Sequence, residues 1–364
     1  MTADSVGGVW TYALELSRGL TRRGVEVALA TLGQPLTAGQ WAEARAIDGL
    51  RVHESEYQLE WMDEPWDDVR ASGAWLLELE ARLAPDVVHL NGYCHGALPW
   101  RAPALVVAHS CVLSWWQAVH GEAAPERYAR YRQEVSRGLS RAHAVVAPSA
   151  AMLAALREHY GALPNAEVIH NARDMGVSAP VAKEPFILAA GRLWDAAKNL
   201  RALDAVAHRT AWPVRVAGET RHPGGGACQA ANAELLGPLP PHRLADLMAR
   251  AGIFALPARY EPFGLSALEA GLAGCALVLG DIPSLREVWG DAALYVPPDD
   301  LEALWAALEG LARFPEAREC WGERARARAL SYSVDRQVDA YLARYAALTR
   351  APAAPRALAE LRAS

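Results

Sequence analysis

No run in this chain approaches the apolar length that crosses a bilayer, so an integral helical membrane protein is excluded and only contact at a membrane surface stays open. The first residues are small and polar, without the basic start and apolar core of a secretory leader. Cysteine is scarce and scattered: Cys94, Cys111, Cys228, Cys275 and Cys320 stand singly, with no paired metal-ligand spacing. Such a set fits free thiols in a reducing compartment, and a cytoplasmic location is expected. Excess positive charge is missing too, since a formal net charge of −6 gives no support for a nucleic-acid partner. What remains is an ordinary globular composition, 52% hydrophobic and 21% charged, over 364 residues, which is room for two domains.

Strand and helix patterns alternate along the chain. Val6-Gly7-Gly8-Val9-Trp10 reads as the glycine turn after a first strand of which only Met1 to Ala3 remain, unless the true start lies upstream. Trp10 to Arg22 is a helix with Val9, Ala13, Leu16 and Leu20 on one face, closed by Arg22-Arg23-Gly24, and Val25 to Thr31 is a buried strand. Further strands are expected at Leu50 to His53, Asp86 to Leu90, Pro103 to Ala108, Ala142 to Ala147 and Glu167 to His170. Helices are expected over Gly73 to Leu83, Ala124 to Gly138, and from the cap Ser149 to Tyr160. The acidic, aromatic stretch Glu54 to Asp68 has no clear period. Residues 174–185, polar and proline-bearing, read as a linker. A second series follows, with strands at Phe186 to Ala190, Val214 to Ala217, Leu235-Leu236, Gly252 to Leu256, Ala276 to Gly280 and Ala293 to Val296. Its helices are Asn199 to Arg209, Pro241 to Ala251, Ser266 to Gly274, Leu301 to Phe314 and Arg318 to Leu330, with a capped turn at Asp281 to Ser284. The alternation predicts an α/β protein of two doubly wound, parallel, Rossmann-like domains, 1–173 and 186–332, whose strand ends face each other across a cleft. An amphipathic helix covers about 333–349, and 350–364 is an Ala/Pro/Arg tail.

Chemistry concentrates at two strand ends. Glu261-Pro262-Phe263-Gly264-Leu265-Ser266-Ala267-Leu268-Glu269 follows a buried run closed by Pro257 and leads into a helix of small residues. Phe263-Gly264-Leu265 is then the turn at the helix N-terminus, where free N–H groups and the helix dipole favour an anion. Glu261 stands before that turn and Glu269 inside the helix. Two acids beside an anion site fit a ligand that is polyhydroxylated next to its phosphate, as a nucleotide sugar is. The second stretch is Gly191-Arg192-Leu193-Trp194-Asp195-Ala196-Ala197-Lys198-Asn199. Arg192 and Lys198 leave one strand end together, a planar fork and a point charge suited to a diphosphate. Taken alone, that pair is as well explained by two solvated cations, and a bare Glu-x7-Glu by a helix start with incidental acids.

As a set, these stretches resemble retaining glycosyltransferases of family 4, which have the GT-B fold. Glu261 to Glu269 resembles the family signature, Gly191-Arg192 with Lys198 its diphosphate pair, and Val168-Ile169-His170-Asn171-Ala172 the ending of its first domain. Gly7-Gly8 resembles its N-terminal glycine loop and Arg215-Val216-Ala217-Gly218 a strand of its second domain. The similarity spans roughly Ala3 to Tyr345. It implies a nucleotide-sugar donor, UDP- or GDP-linked, with Glu269 on the ribose hydroxyls and Glu261 on the sugar. Backbone N–H groups of Phe263, Gly264 and Leu265 would lie near sugar and phosphate, Arg192 and Lys198 would hold the diphosphate, and Gly8 would let the backbone approach it. His109 would stand near the reacting centre, and the base would meet backbone around Gly237 to Leu239. The sequence departs from the family in one extra residue between Arg192 and Lys198, in Ala172 where glycine is usual, and in the short first strand.

The resemblance implies transfer with retention to an acceptor that is a glycan, a lipid or a small molecule, bound by the first domain. No Asp-x-Asp stands where it would hold a metal, and the Arg/Lys pair can replace a cation, so neither metal nor cofactor is expected. The helix from Ser333 is expected to cross back onto the first domain. Trp61, Trp66 and Trp115-Trp116 are candidates for stacking on an acceptor, although core packing explains each as well. Arg18, Arg22 and Arg23 are candidates for anionic lipid, with a solvated helix end as the plainer account. Two other readings share the architecture: a nucleotide-sugar 2-epimerase, which needs further acids in the first domain, and a non-catalytic binding protein, which the four charged residues argue against.

Overall fold

The computed structural model describes residues 1–175, 181–221 and 225–350. In the first domain the strands are β1 (Thr2–Asp4), β2 (Val27–Leu32), β3 (Leu50–His53), β4 (Val88–Leu90), β5 (Ala104–Val107), β6 (Ala144–Ala147) and β7 (Ala166–Val168). They pair in parallel as β1-β2-β3 and β4-β5-β6-β7. The short β1 pairs with β2, while β4 is tied to it by a side chain. Asn91, just after β4, donates its N–H to Thr2 Oγ1 (2.8 Å) and its side-chain amide to Thr2 O (2.7 Å).

Helices α1 (Gly8–Arg22), α2 (Ala38–Arg45), α3 (Trp66–Leu83), α4 (Val112–His120), α5 (Ala129–Arg141) and α6 (Ala150–Tyr160) cover these strands. Four differ from expectation. Nothing in the pattern announces α2, where only Ala44 is buried, or α4; and α3 begins at Trp66, inside the stretch without a period. Helix α5 starts later than expected, after a separate turn at Glu126–Tyr128.

The second domain has β8 (Glu184–Ala190), β9 (Val214–Ala217), β10 (Glu234–Gly237), β11 (Ala251–Leu256), β12 (Ala276–Gly280) and β13 (Leu294–Val296). They form one parallel sheet in the order β10-β9-β8-β11-β12-β13. Chain direction across the sheet reverses between β8 and β11, the point where open α/β sheets bind ligands. Its helices are α7 (Leu200–Ala207), α8 (Pro241–Arg250), α9 (Leu265–Leu272), α10 (Pro283–Trp289), α11 (Leu301–Arg313) and α12 (Pro315–Ala329). The expected turn at Asp281 to Ser284 is the start of α10, with Pro283 in its first turn.

Helix α13 (Val334–Arg350) returns to the first domain. Val338 and Tyr341 are buried in the core formed by Trp10, Leu16 and Leu20, and Tyr12 Oη donates to Tyr341 Oη at 2.6 Å. Arg23 pairs with Asp339 (2.9 Å) and Asp335 (3.2 Å) on this helix, so one of the arginines considered for lipid is committed within the protein. Among the described residues no helix is long and apolar enough to cross a membrane, and the five cysteines are free. Part of the linker (176–180), part of the loop after β9 (222–224) and the tail (351–364) lie outside the described residues.

Candidate active site

Because Ile187 of β8 lies level with Ile253 of β11, the loops leaving these strands emerge side by side. Lys198 from one meets Glu261 from the other, Nζ to Oε2 at 2.5 Å, with side chains only 17% and 13% exposed. The extra residue before Lys198 leaves it in contact with Glu261. Asn199 fixes its position: in the left-handed conformation (φ 56°), it donates to the carbonyls of Pro257 (2.9 Å) and Pro298 (2.7 Å). Arg192 Nη2 binds Asp195 Oδ2 at 2.9 Å. Asp195 is buried and also accepts from Ala197 N–H (3.0 Å) and from Trp115 Nε1 (2.8 Å), which reaches across from α4. Burial alone would lift the Asp195 carboxyl, but Lys198, Arg192 and these donors outweigh it and hold it below its usual range.

Two helix N-termini converge here. Gly264 caps α9 at φ 91°, a conformation that disfavours any side chain, and no side chain takes the first N–H groups. Helix α1 begins equally uncapped. A β-carbon on Gly8 would lie 3.6 Å from Leu265 Cδ1, and one on Gly7 3.6 Å from Arg192 Nη1. Phe263 turns its ring away, edge-on to Tyr332 (5.5 Å between centroids), and so offers the cleft mainly backbone. Glu269 faces a residue the sequence did not single out. Arg173 Nε binds Glu269 Oε1 (2.6 Å) while its Nη1 binds the buried Glu15 of α1 (3.1 Å). Burial pushes the Glu269 carboxyl up against the pull of Arg173.

His109 follows β5, with Nε2 2.8 Å from Asn91 Oδ1. The Asn91 amide nitrogen donates to Thr2, so its oxygen is the acceptor, His109 Nε2 carries the hydrogen, and Nδ1 holds the lone pair. Burial lowers the His109 pKa to about 3, leaving the ring neutral. His89 Nε2 shares the same oxygen (3.2 Å), and Tyr345 of α13 lies 2.6 Å from His89 Nδ1.

Gly8, His109, Arg192, Lys198, Glu261, Phe263, Gly264, Leu265 and Glu269 line one cleft of ≈ 810 Å³ between the domains, as does Leu239 at the end formed by β10, whereas Arg173, Asn199 and His89 are not part of its lining. Asp4, Glu60 and Trp61 line it too, and the two acids carried no signal in the sequence. Burial, with Glu60 nearby, raises Asp4 to about 7, while a hydrogen bond from Trp61 and the charge of Arg192 oppose the rise. Trp66 and Trp116 instead stack beneath Arg130 (4.8 Å) and Arg127 (5.1 Å).

Known proteins match both domains. The model for Glycosyltransferase Family 4 matches residues 6–176, and that for Glycosyl transferases group 1 matches residues 172–328. A D-inositol 3-phosphate glycosyltransferase of Geodermatophilus obscurus is 28% identical over 414 aligned positions, which take in 97% of this chain and 87% of that protein. An O-antigen chain mannosyltransferase B of Escherichia coli is 40% identical over 97 residues, 26% of this chain and 24% of its own length. Sucrose-phosphate synthase from Thermosynechococcus elongatus superposes with a TM-score of 0.79 at 17% identity, covering 96% of each chain. Anabaena HepE, solved in complex with UDP and glucose, gives 0.71 at 14% identity over 95% of this chain and 100% of that one. At these identities the structures establish the shared two-domain GT-B fold.

Proposed function

Because the chain belongs to glycosyltransferase family 4 and is a glycosyltransferase, we propose that it transfers a sugar from a UDP- or GDP-sugar with retention and without a metal. The observation that carries this reading is the meeting of Arg192, Lys198 and two uncapped helix N-termini in one part of the cleft, with Glu261 and Glu269 on either side. Cleavage between anomeric carbon and phosphate oxygen leaves negative charge on the diphosphate, and these groups offset it. A divalent cation serves that purpose in other enzymes, and here fixed positive groups take its place. Lys198 exchanges Glu261 for phosphate when the donor arrives, and Glu261 turns to the sugar hydroxyls. Glu269, held by Arg173, takes the ribose hydroxyls, and the backbone around Leu239 takes the base. His109, neutral, accepts a sugar hydroxyl at Nδ1. The acceptor attacks from the leaving-group side and gives its proton to a phosphate oxygen, so the configuration is kept.

The test is nucleotide release from UDP-, GDP- and ADP-sugars, with proton NMR of the product's anomeric configuration. Lys198→Ala should cut kcat by about 10²–10³ with the fold retained by circular dichroism. Unchanged turnover in that variant overturns the role of Lys198, an inverted product overturns retention, and loss of activity in EDTA overturns metal independence.

A further inference from the structure

The lysine and arginine side chains of the cleft all stand on one of its two walls. Among the described residues the lysine and arginine side chains lining it, Arg192 and Lys198, both belong to the second domain, and each is already paired with a carboxylate. The first-domain wall contributes no lysine or arginine but two acids, Asp4 and Glu60, with Trp61 beside them. Glu60 is fixed by backbone donors, Tyr93 N–H at 2.9 Å and Cys94 N–H at 2.8 Å, at the head of the turn Cys94–Ala97. Asp4 closes β1, with Trp61 near enough to act on its carboxyl. The histidines of this wall, His95 and His109, are kept neutral by burial and supply no charge.

A phosphate monoester carried on the acceptor would meet two acids here and no free cation, and like charges set together are strongly rejecting. Hydroxyl groups meet the opposite reception, since carboxylates are strong acceptors for them and an indole face suits the apolar side of a sugar ring. On the basis of the glycosyltransferase reading, we propose that the acceptor is an uncharged polyhydroxylated molecule, a sugar or its glycoside, whose hydroxyls are received by Asp4 beside Trp61, and that this wall rejects phosphorylated acceptors.

The experiment follows nucleotide release above the pH at which Asp4 ionises. Glucose, maltose and myo-inositol are each compared with a phosphate monoester of the same compound. At least one neutral acceptor should speed release, and its phosphate should be poorer by about tenfold or more in kcat/KM. Asp4→Asn should weaken use of the neutral acceptor and narrow the neutral-to-phosphorylated ratio, more so at low ionic strength. A merely structural Asp4 would lower both rates alike and leave the ratio unchanged. Preference for a phosphorylated acceptor, stimulation by no neutral one, or an unchanged ratio in Asp4→Asn overturns the proposal. Calorimetric titration with UDP- and GDP-sugars separates the levels. Donor bound with the wrong acceptor preference sinks the acceptor class alone, whereas no donor bound sinks the reading beneath it.

Discussion

Lys198 and Glu261 neutralise each other before any substrate arrives, and neither has water enough to stand alone. Removing one partner of such a pair leaves the other uncompensated, a cost of about 3–5 kcal/mol when burial is complete and less at this partial exposure. Lys198→Ala should therefore lower the melting temperature, and adding Glu261→Gln should restore part of the loss; calorimetry of both variants reads this directly. Asp4 gives a sign that depends on pH. Its folded pKa of about 7 lies above the ordinary 3.8, so its contribution to stability is full below 3.8 and lost as pH rises through 7. Asp4→Asn should accordingly raise the melting temperature above pH 7 and have little effect near pH 4. His109, lowered to about 3 from 6.5, should leave no inflection near 6.5 in the pH–rate profile, so His109→Gln should slow turnover without changing the shape of the curve there. Arg192, Lys198, Glu261 and Glu269 were legible because each sits in a short local pattern of strand end, glycine and charge. Arg173, Asp195, Asp4 and Glu60 were not. Arg173 is defined by Glu15 and Glu269 on α1 and α9, Asp195 by Trp115 on α4, and Asp4 by Trp61 and Arg192, and no local pattern joins those positions.

At the scale of elements, one domain completes the helix of the other. Ser149 Oγ accepts from Met152 N–H (3.1 Å) as the local cap of α6, and donates to Pro262 O (2.7 Å) across the cleft. Glu287 of α10 adds a second cap from the far side, accepting from Ala150 N–H (2.7 Å) and Ala151 N–H (2.9 Å). Loss of a cap costs about 1 kcal/mol, roughly a fivefold change in an equilibrium for separating the two domains. Glu287→Ala should thus increase the radius of gyration in small-angle scattering of the free protein, and an unchanged curve would show that this cap does not hold the domains together. The serine cap could be read from Pro148-Ser149, but the glutamate could not, because its partner helix belongs to another domain. Helices with an apolar stripe, such as α1 and α11, were visible for the same reason that makes them stable: they bury one face. Helix α2 buries a single alanine and α10 is only seven residues long, so neither offers a stripe to find. Sheet order is likewise absent from the local pattern. The adjacency of β8 and β11 that unites the site follows from right-handed crossovers on both sides of β8, not from any residue in either strand.

At the scale of the whole molecule, the first domain does not complete its own core. Tyr341 and Val338 of α13 fill the surface of α1 around Tyr12, Leu16 and Leu20, and Tyr345 reaches His89, which shares Asn91 with His109. Ending the chain at Ser333 should leave that apolar face open, seen as binding of a hydrophobic dye, and should disturb the cleft through Asn91, seen as weaker donor binding. Two domains of ordinary size were legible from length and alternation, and the crossing helix from its amphipathic pattern. Its destination came only from the family resemblance, because amphipathicity says that a face is covered and not by what. The crossing helix also sets an order in time. A ribosome releases the first domain early, yet the last part of its core is translated only after the whole second domain. Until α13 is made, the apolar face of α1 around Leu16 and Leu20 therefore lacks its cover. A chain broken off before α13 would leave that face of α1 bare, so burial of Leu16 and Leu20 is complete only once translation has run through both domains.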